Sequence, residues 1–170
     1  RGLGDVYKRQ PYMQARPEPA EQYGLDALNA ALAGITGTTA VHICFGYAHV
    51  IHARPSGYSF LRQLRKCSCH QISLETAQSN LDVSVLKDLG DKKIILGVVD
   101  LSDMSVAARD MLLATSPARI RRALPYAPAE NIIVAPDCGM KYLPRDVAFG
   151  KMQSMAAGAA IVRRELQAKA

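Results

Sequence analysis

K-I-I-L-G-V-V-D, residues 93–100, is an almost unbroken run of branched aliphatic residues that ends on a carboxylate. It shows no apolar/polar alternation, so it suits a strand buried on both faces, as in a parallel sheet covered by helices. Working outward, A-V-H-I-C-F (40–45), Q-I-S-L-E (71–75) and N-I-I-V-A (131–135) read as three more strands. A helix is predicted over 19–33, where Leu25, Leu28 and Leu32 share one face before G-I-T-G-T-T breaks it. Shorter helices are predicted over 58–66, over 83–89 ending at Gly90, and over 117–124 stopping at Pro125. A long loop fills 46–57. A long helix begins near Pro144, where an alanine-rich stretch and Gly158 predict close packing.

Strand and helix therefore alternate, which implies a parallel sheet with right-handed crossovers. Two architectures fit: an open doubly wound sheet, or part of a (β/α)₈ barrel. No glycine-rich phosphate fingerprint follows any strand, which counts against a dinucleotide-binding fold. Chemically able residues cluster at the carboxyl ends of the strands, as barrel enzymes arrange them. A whole barrel takes about 250 residues, so four βα units in 170 residues would be half of one. Such a half has two open strand edges, which invite pairing.

Composition narrows the function. A hydrophobic content of 49% is that of a globular chain. With no tryptophan and 6% aromatics, a nucleic-acid stacking platform is not expected. The net charge of +6 is spread along the chain; its densest patch, Arg119, Arg121 and Arg122, reads as a solvated helix face. No run approaches the roughly 20 apolar residues of a membrane span, so no membrane partner is expected. The four cysteines lack framework spacing, which fits a reducing, cytoplasmic compartment. Residues 1–10, R-G-L-G-D-V-Y-K-R-Q, do not share the patterning that follows. They are expected to be foreign to a natural chain that begins further upstream, leaving 11–170 as a partial catalytic barrel.

His42 and Cys44 are two apart on a strand and so project to one side. Cys138, in A-P-D-C-G, and Glu75, ending Q-I-S-L-E, add a thiol and a carboxylate at other strand ends. Imidazole, two thiols and a carboxylate make a zinc donor set, and thiolates select zinc over harder ions. H-x-C alone more often fills a core, and a lone strand-end glutamate is more often solvated. Cys67, Cys69 and His70 offer a weaker second cluster, and His49 and His52 read as loop residues or parts of a lid. Asp100 and Asp103 follow the third strand, where substrate binding and loop hydrogen bonding are about equally good readings.

The segments H-I-C-F-G, Q-I-S-L-E-T-A-Q, G-V-V-D-L-S and A-P-D-C-G-M-K, in that order, resemble the C-terminal catalytic domain of cobalamin-independent methionine synthase, in its short, core-only form. The likeness runs from Pro11 to the end. It implies that the chain is the C-terminal half of a (β/α)₈ TIM barrel, truncated at the N-terminus, from an enzyme that moves a methyl group onto the sulfur of homocysteine, with Zn²⁺ held by His42, Cys44, Glu75 and Cys138. It further implies that the metal deprotonates the substrate thiol and that Glu75, as the ligand able to yield, also meets substrate. Asp100 and Ser102 occupy family catalytic positions.

Three departures stand out. Arg9 and Gln10 replace the family's Asp-Glu before Pro11. The remaining substrate contacts belong upstream of Pro11. Ser102 stands where the long folate-dependent enzymes carry histidine, which points away from methyltetrahydrofolate (polyglutamylated) and toward a methylcorrinoid protein as donor. Residues 107–115 also fit the family pattern poorly. The competing readings are a methyltransferase acting on another thiol such as coenzyme M, a non-catalytic zinc-binding domain, and a metal-free, inactive fragment.

Overall fold

The computed structural model describes residues 17–45, 57–58, 60–103 and 108–169. A helical segment opens at Pro17–Pro19, where prolines are tolerated because first-turn N–H groups have no helical partner. It widens for one turn at Ala20–Gly24 and continues as α1 (Leu25–Leu32). Leu25, Leu28 and Leu32 pack on the core, on the face their spacing predicts. Strand β1 (Ala40–Ile43) follows, then the single turn α2 (Leu61–Leu64) and β2 (Gln71–Leu74). A 3₁₀ segment, Val83–Leu89, is capped by the Asp82 side chain, which accepts the Ser84 N–H at 3.0 Å. Gly90 ends it at φ +67°, a conformation that glycine adopts without a Cβ penalty. β3 (Lys93–Val99), α3 (Ala108–Ala123), β4 (Ile132–Pro136) and α4 (Arg145–Gln167) complete the chain.

The sheet order is β1-β2-β3-β4 and every pairing is parallel. Register explains which side faces what. Ile43, Leu74, Leu96 and Val134 form one cross-strand row and Val41, Ile72, Ile94 and Ile132 another; both rows lie in or against the hydrophobic core. The opposite row, His42, Ser73, Ile95 and Ile133, is only partly covered, and Ile133 is 37% exposed. The apolar run of β3 is buried on both faces toward its carboxyl end, from Leu96 to Val99, but not at Ile95. Helices cover one face, and Ile95 on the other is half-buried. The open face is the one that turns inward in a closed barrel, and β1 and β4 are the open edges among the described residues.

Helix α3 departs from the sequence-based expectation. It begins at Ala108 rather than at Pro117, and Pro117 lies inside it. An interior proline costs a helix hydrogen bond, but packing against α4 offsets that loss. A methyl group at Gly158 would stand 3.1 Å from Pro117 Cδ and 3.1 Å from Ser116 Cβ, so the bare glycine lets the two helices meet. The arginines of α3 are not a merely solvated face. Arg119 donates to Val98 O at 2.9 Å, Arg122 donates to Leu81 O at 3.2 Å, and Arg121 pairs with Glu165 of α4. The long Gly158→Leu side chain should force α3 from α4 and cost about 1–3 kcal/mol, the usual penalty of overpacking. Equilibrium urea unfolding would register this as a lower midpoint with an unchanged slope.

Candidate metal centre

His42 lies within β1, Cys44 just beyond it, Glu75 just beyond β2 and Cys138 just beyond β4. All four are at the carboxyl ends of strands. The outer strands of a flat four-stranded sheet stand about 14 Å apart, three spacings of about 4.8 Å. Yet donor atoms of His42, Cys44 and Cys138 lie within 4.8 Å of one another. The sheet is thus curled enough for its two edge strands to converge at their tips. Among the described residues this is the only group of three or more such donors gathered so closely.

The immediate surroundings suit a metal. His42 Nδ1 lies 2.8 Å from the hydroxyl of Ser73, its register partner on β2. The tautomer that donates from Nδ1 to Ser73 leaves a lone pair on Nε2 for a metal, the usual arrangement of a ligating histidine. A hydrogen bond from Cys44, with further help from His42, pulls the Cys138 thiol far below the usual range. Cys44 and Cys138 are buried, whereas His42 is exposed. Two sulfurs and an imidazole nitrogen are a zinc donor set by chemistry and by count, with room for a fourth ligand.

Glu75 does not join the other three within that 4.8 Å. It is fully buried, and its Oε2 accepts the Phe45 N–H at 3.2 Å, directly after Cys44 in the chain. Tyr58 holds this junction. Its hydroxyl lies 3.1 Å from Ile43 O and 3.3 Å from Glu75 O and accepts the Glu75 N–H at 3.1 Å, while its ring stacks on Phe45 at 4.6 Å. Burial first, then the Glu75 charge, raises the Tyr58 pKa well above its ordinary value, so it remains a neutral phenol.

A second set of contacts ties β2 to β4. The carboxylate of Asp137, fully buried, accepts N–H bonds from Thr76 (3.2 Å), Ala77 (3.1 Å to each oxygen) and Gln78 (2.6 Å). Burial pushes its carboxyl up to about 6 against the opposing pull of those bonds. The Thr76 hydroxyl donates to Gly97 O at 2.5 Å. A methyl group on Gly97 would come within 2.3 Å of Asp137 Oδ1, so this glycine in β3 makes room for the carboxylate.

At the end of β3, Asp100 Oδ1 accepts both the Ser102 N–H (2.7 Å) and the Ser102 hydroxyl (2.6 Å). Lys151, reaching over from α4 and 1% exposed, donates to Asp100 O at 2.9 Å. Burial lowers its pKa, and Asp103 and Asp100 oppose that shift.

Cys67 and Cys69 are buried near each other, and burial followed by the Cys67 contact pushes the Cys69 thiol up to about 11. Lys92 donates to both of their carbonyls, and His70 turns away to Thr39, whose N–H it accepts at 3.0 Å. His49, His52, residues 1–10 and the positions around Pro11 lie outside the described residues. Sequence reasoning missed Tyr58, Ser73, Asp137 and Lys151. Only Asp137 had a visible signal, its place directly before Cys138.

The fold and the cluster define half of a parallel (β/α)₈ barrel with soft donors gathered at its carboxyl end. Residues 22–160 match the family model described as the catalytic domain of cobalamin-independent synthase, and the chain belongs to that family. It is 29% identical over 169 residues to a methionine synthase of Sulfolobus acidocaldarius and 31% identical over 163 residues to one of Saccharolobus solfataricus. These matches cover 99% and 94% of this chain but 45% of each relative, so the chain spans a little under half their length. A solved B12-independent methionine synthase from a Shewanella species, in complex with selenomethionine, superposes with a TM-score of 0.82 at 27% identity. That superposition covers 94% of this chain and 48% of the other.

Replacing Tyr58 by Phe removes the acceptor of the buried Glu75 N–H. The expected cost is about 1–3 kcal/mol, the penalty for an unsatisfied buried donor, measured by urea unfolding of both proteins.

Proposed function

We propose that this chain is the metal-bearing half of a zinc-dependent methyltransferase that transfers a methyl group to the thiol of homocysteine, forming methionine. The observation that carries this reading is the convergence of His42, Cys44 and Cys138 at the strand tips. The methionine synthase relatives and the selenomethionine bound to the Shewanella protein support it, since selenomethionine differs from methionine only in its chalcogen.

His42, Cys44 and Cys138 would hold the metal, with Glu75 as the fourth, yielding ligand. Zinc bound there supplies the means to keep a substrate thiol deprotonated near neutral pH, where a free thiol of pKa about 8.5 is mostly protonated. The residues present prepare the place. Ser73 fixes the ring of His42, and the Phe45 N–H orients Glu75 by donating to its Oε2 directly after Cys44 in the chain. Asp100 and Ser102 are proposed to contact the substrate from the end of β3, where Lys151 anchors the backbone. The methyl donor is either methyltetrahydrofolate or a methylcorrinoid protein, and Ser102 in place of histidine favours the latter. The four thiols, none of them in a disulfide, fit a reducing, cytoplasmic compartment, and no helix among the described residues is long and apolar enough to cross a membrane.

The purified chain should bind about one equivalent of zinc, and Cys138→Ser should lower affinity at least tenfold by removing a ligand. Metal analysis and competition with a chromophoric chelator would measure both. Less than half an equivalent in the unsubstituted chain would sink the reading. Adding homocysteine should place a third sulfur in the zinc X-ray absorption signal; an unchanged ligand set would argue for a closed, structural site.

A further inference from the structure

We propose that Asp137 is a positioning residue that locks the strand tips bearing Cys138 and Glu75 into the spacing the metal requires. The inference rests on reading His42, Cys44 and Cys138 as metal ligands, and it assigns a task to a residue outside that donor set. Asp137 is fully buried, and no Lys, Arg or His side chain is bonded to it among the described residues. A carboxylate is costly to bury without such a partner. Here its acceptors are instead filled by three consecutive N–H groups, those of Thr76, Ala77 and Gln78, which form the turn directly after Glu75.

The connection skips a strand. Cys138 follows β4 and Glu75 follows β2, and β3 lies between them. Ordinary ladder bonds join only neighbouring strands, so they set the β2 and β4 tips relative to β3 but not to each other. The Asp137 carboxylate crosses over β3 at Gly97, where an added methyl group would collide with its Oδ1. Its immediate sequence neighbour is Cys138. Any shift of the turn after Glu75 is thereby passed to Cys138 through one side chain. Outer-shell hydrogen bonds of this kind set the orientation of metal ligands, and losing one typically lowers metal affinity 10–100-fold.

Asp137→Asn tests the idea at constant volume. One carboxamide oxygen can still accept, but the NH₂ group then faces a backbone donor, so either the Thr76 bond or the short Gln78 bond is lost. Thr76→Val is the comparison: it removes the hydroxyl bond to Gly97 O from the same turn and leaves the carboxylate untouched. Zinc affinity of the 170-residue chain by chelator competition, with urea unfolding of the metal-free protein, separates positioning from mere stability.

The expected result is at least a tenfold weaker affinity for Asp137→Asn and less than a threefold change for Thr76→Val. Equal losses in both variants, or an unchanged affinity in Asp137→Asn, would overturn the role. The unsubstituted chain gives a check that needs no variant to fold. Coupling between site and clamp is reciprocal, so saturating zinc should slow hydrogen exchange of the Thr76, Ala77 and Gln78 amides at least tenfold. Zinc that binds without slowing them overturns the positioning role alone. A chain that binds no zinc overturns the metal reading itself, and this role with it.

Discussion

The curl of a four-stranded parallel sheet is the constraint on which the site depends. Flat, the sheet would hold the tips of β1 and β4 about 14 Å apart, and His42 and Cys44 would never meet Cys138. Parallel strands coil because each carries the right-handed twist of L-residues, and a one-sided helical layer reinforces the bend. The bare backbone at Gly158 lets α3 and α4 close on each other over that layer. The bend is then held at the functional end, where Tyr58 joins β1 to β2 and Asp137 joins β2 to β4.

That end is dominated by buried polar groups bonded to one another, although the side-chain amide of Gln78 is buried there without a hydrogen-bond partner among the described residues. Glu75, Thr76 and Asp137 are all buried, and backbone N–H and C=O groups of neighbouring strand tips supply their partners. Such networks stabilise little in net terms, since water would have served the same groups in the unfolded chain. What they contribute is uniqueness of geometry, because any displacement leaves a buried donor or acceptor unpaired. A metal site needs that kind of tolerance, a few tenths of an ångström, more than it needs raw stability. At the opposite end of the sheet Cys67 and Cys69 pack into the hydrophobic core as buried thiols, and Lys92 donates to both of their carbonyls.

The half-barrel itself was legible because periodicity reports on burial. The strand and helix order followed from apolar runs and their breakers, and the branched aliphatic run of β3 led to a parallel sheet. What that run could not reveal is that one of its faces is only partly covered, with Ile95 half-buried and Ile133 exposed. A run of apolar residues looks the same whether its cover comes from the same segment of chain or from elsewhere. The start of α3 was lost for a related reason. Pro117 reads as a helix start on local rules, and only the contact with Gly158 shows why a helix continues through it.

The amino-acid order alone determined the parallel α/β class, the placement of His42, Cys44, Glu75 and Cys138 at strand ends, and the family resemblance. Each of these depends on residue type and short spacing, which local chemistry dictates. Tertiary structure decided the rest: that donors on the two edge strands converge while Glu75 stands outside their circle, that Ser73 meets His42, and that Asp137 reaches across Gly97 to the turn after Glu75. Those contacts join residues from 31 positions apart, His42 and Ser73, to 96 apart, His42 and Cys138. At that separation chain proximity carries no information, and only the pairing of the strands and the curl of the sheet bring the atoms within reach.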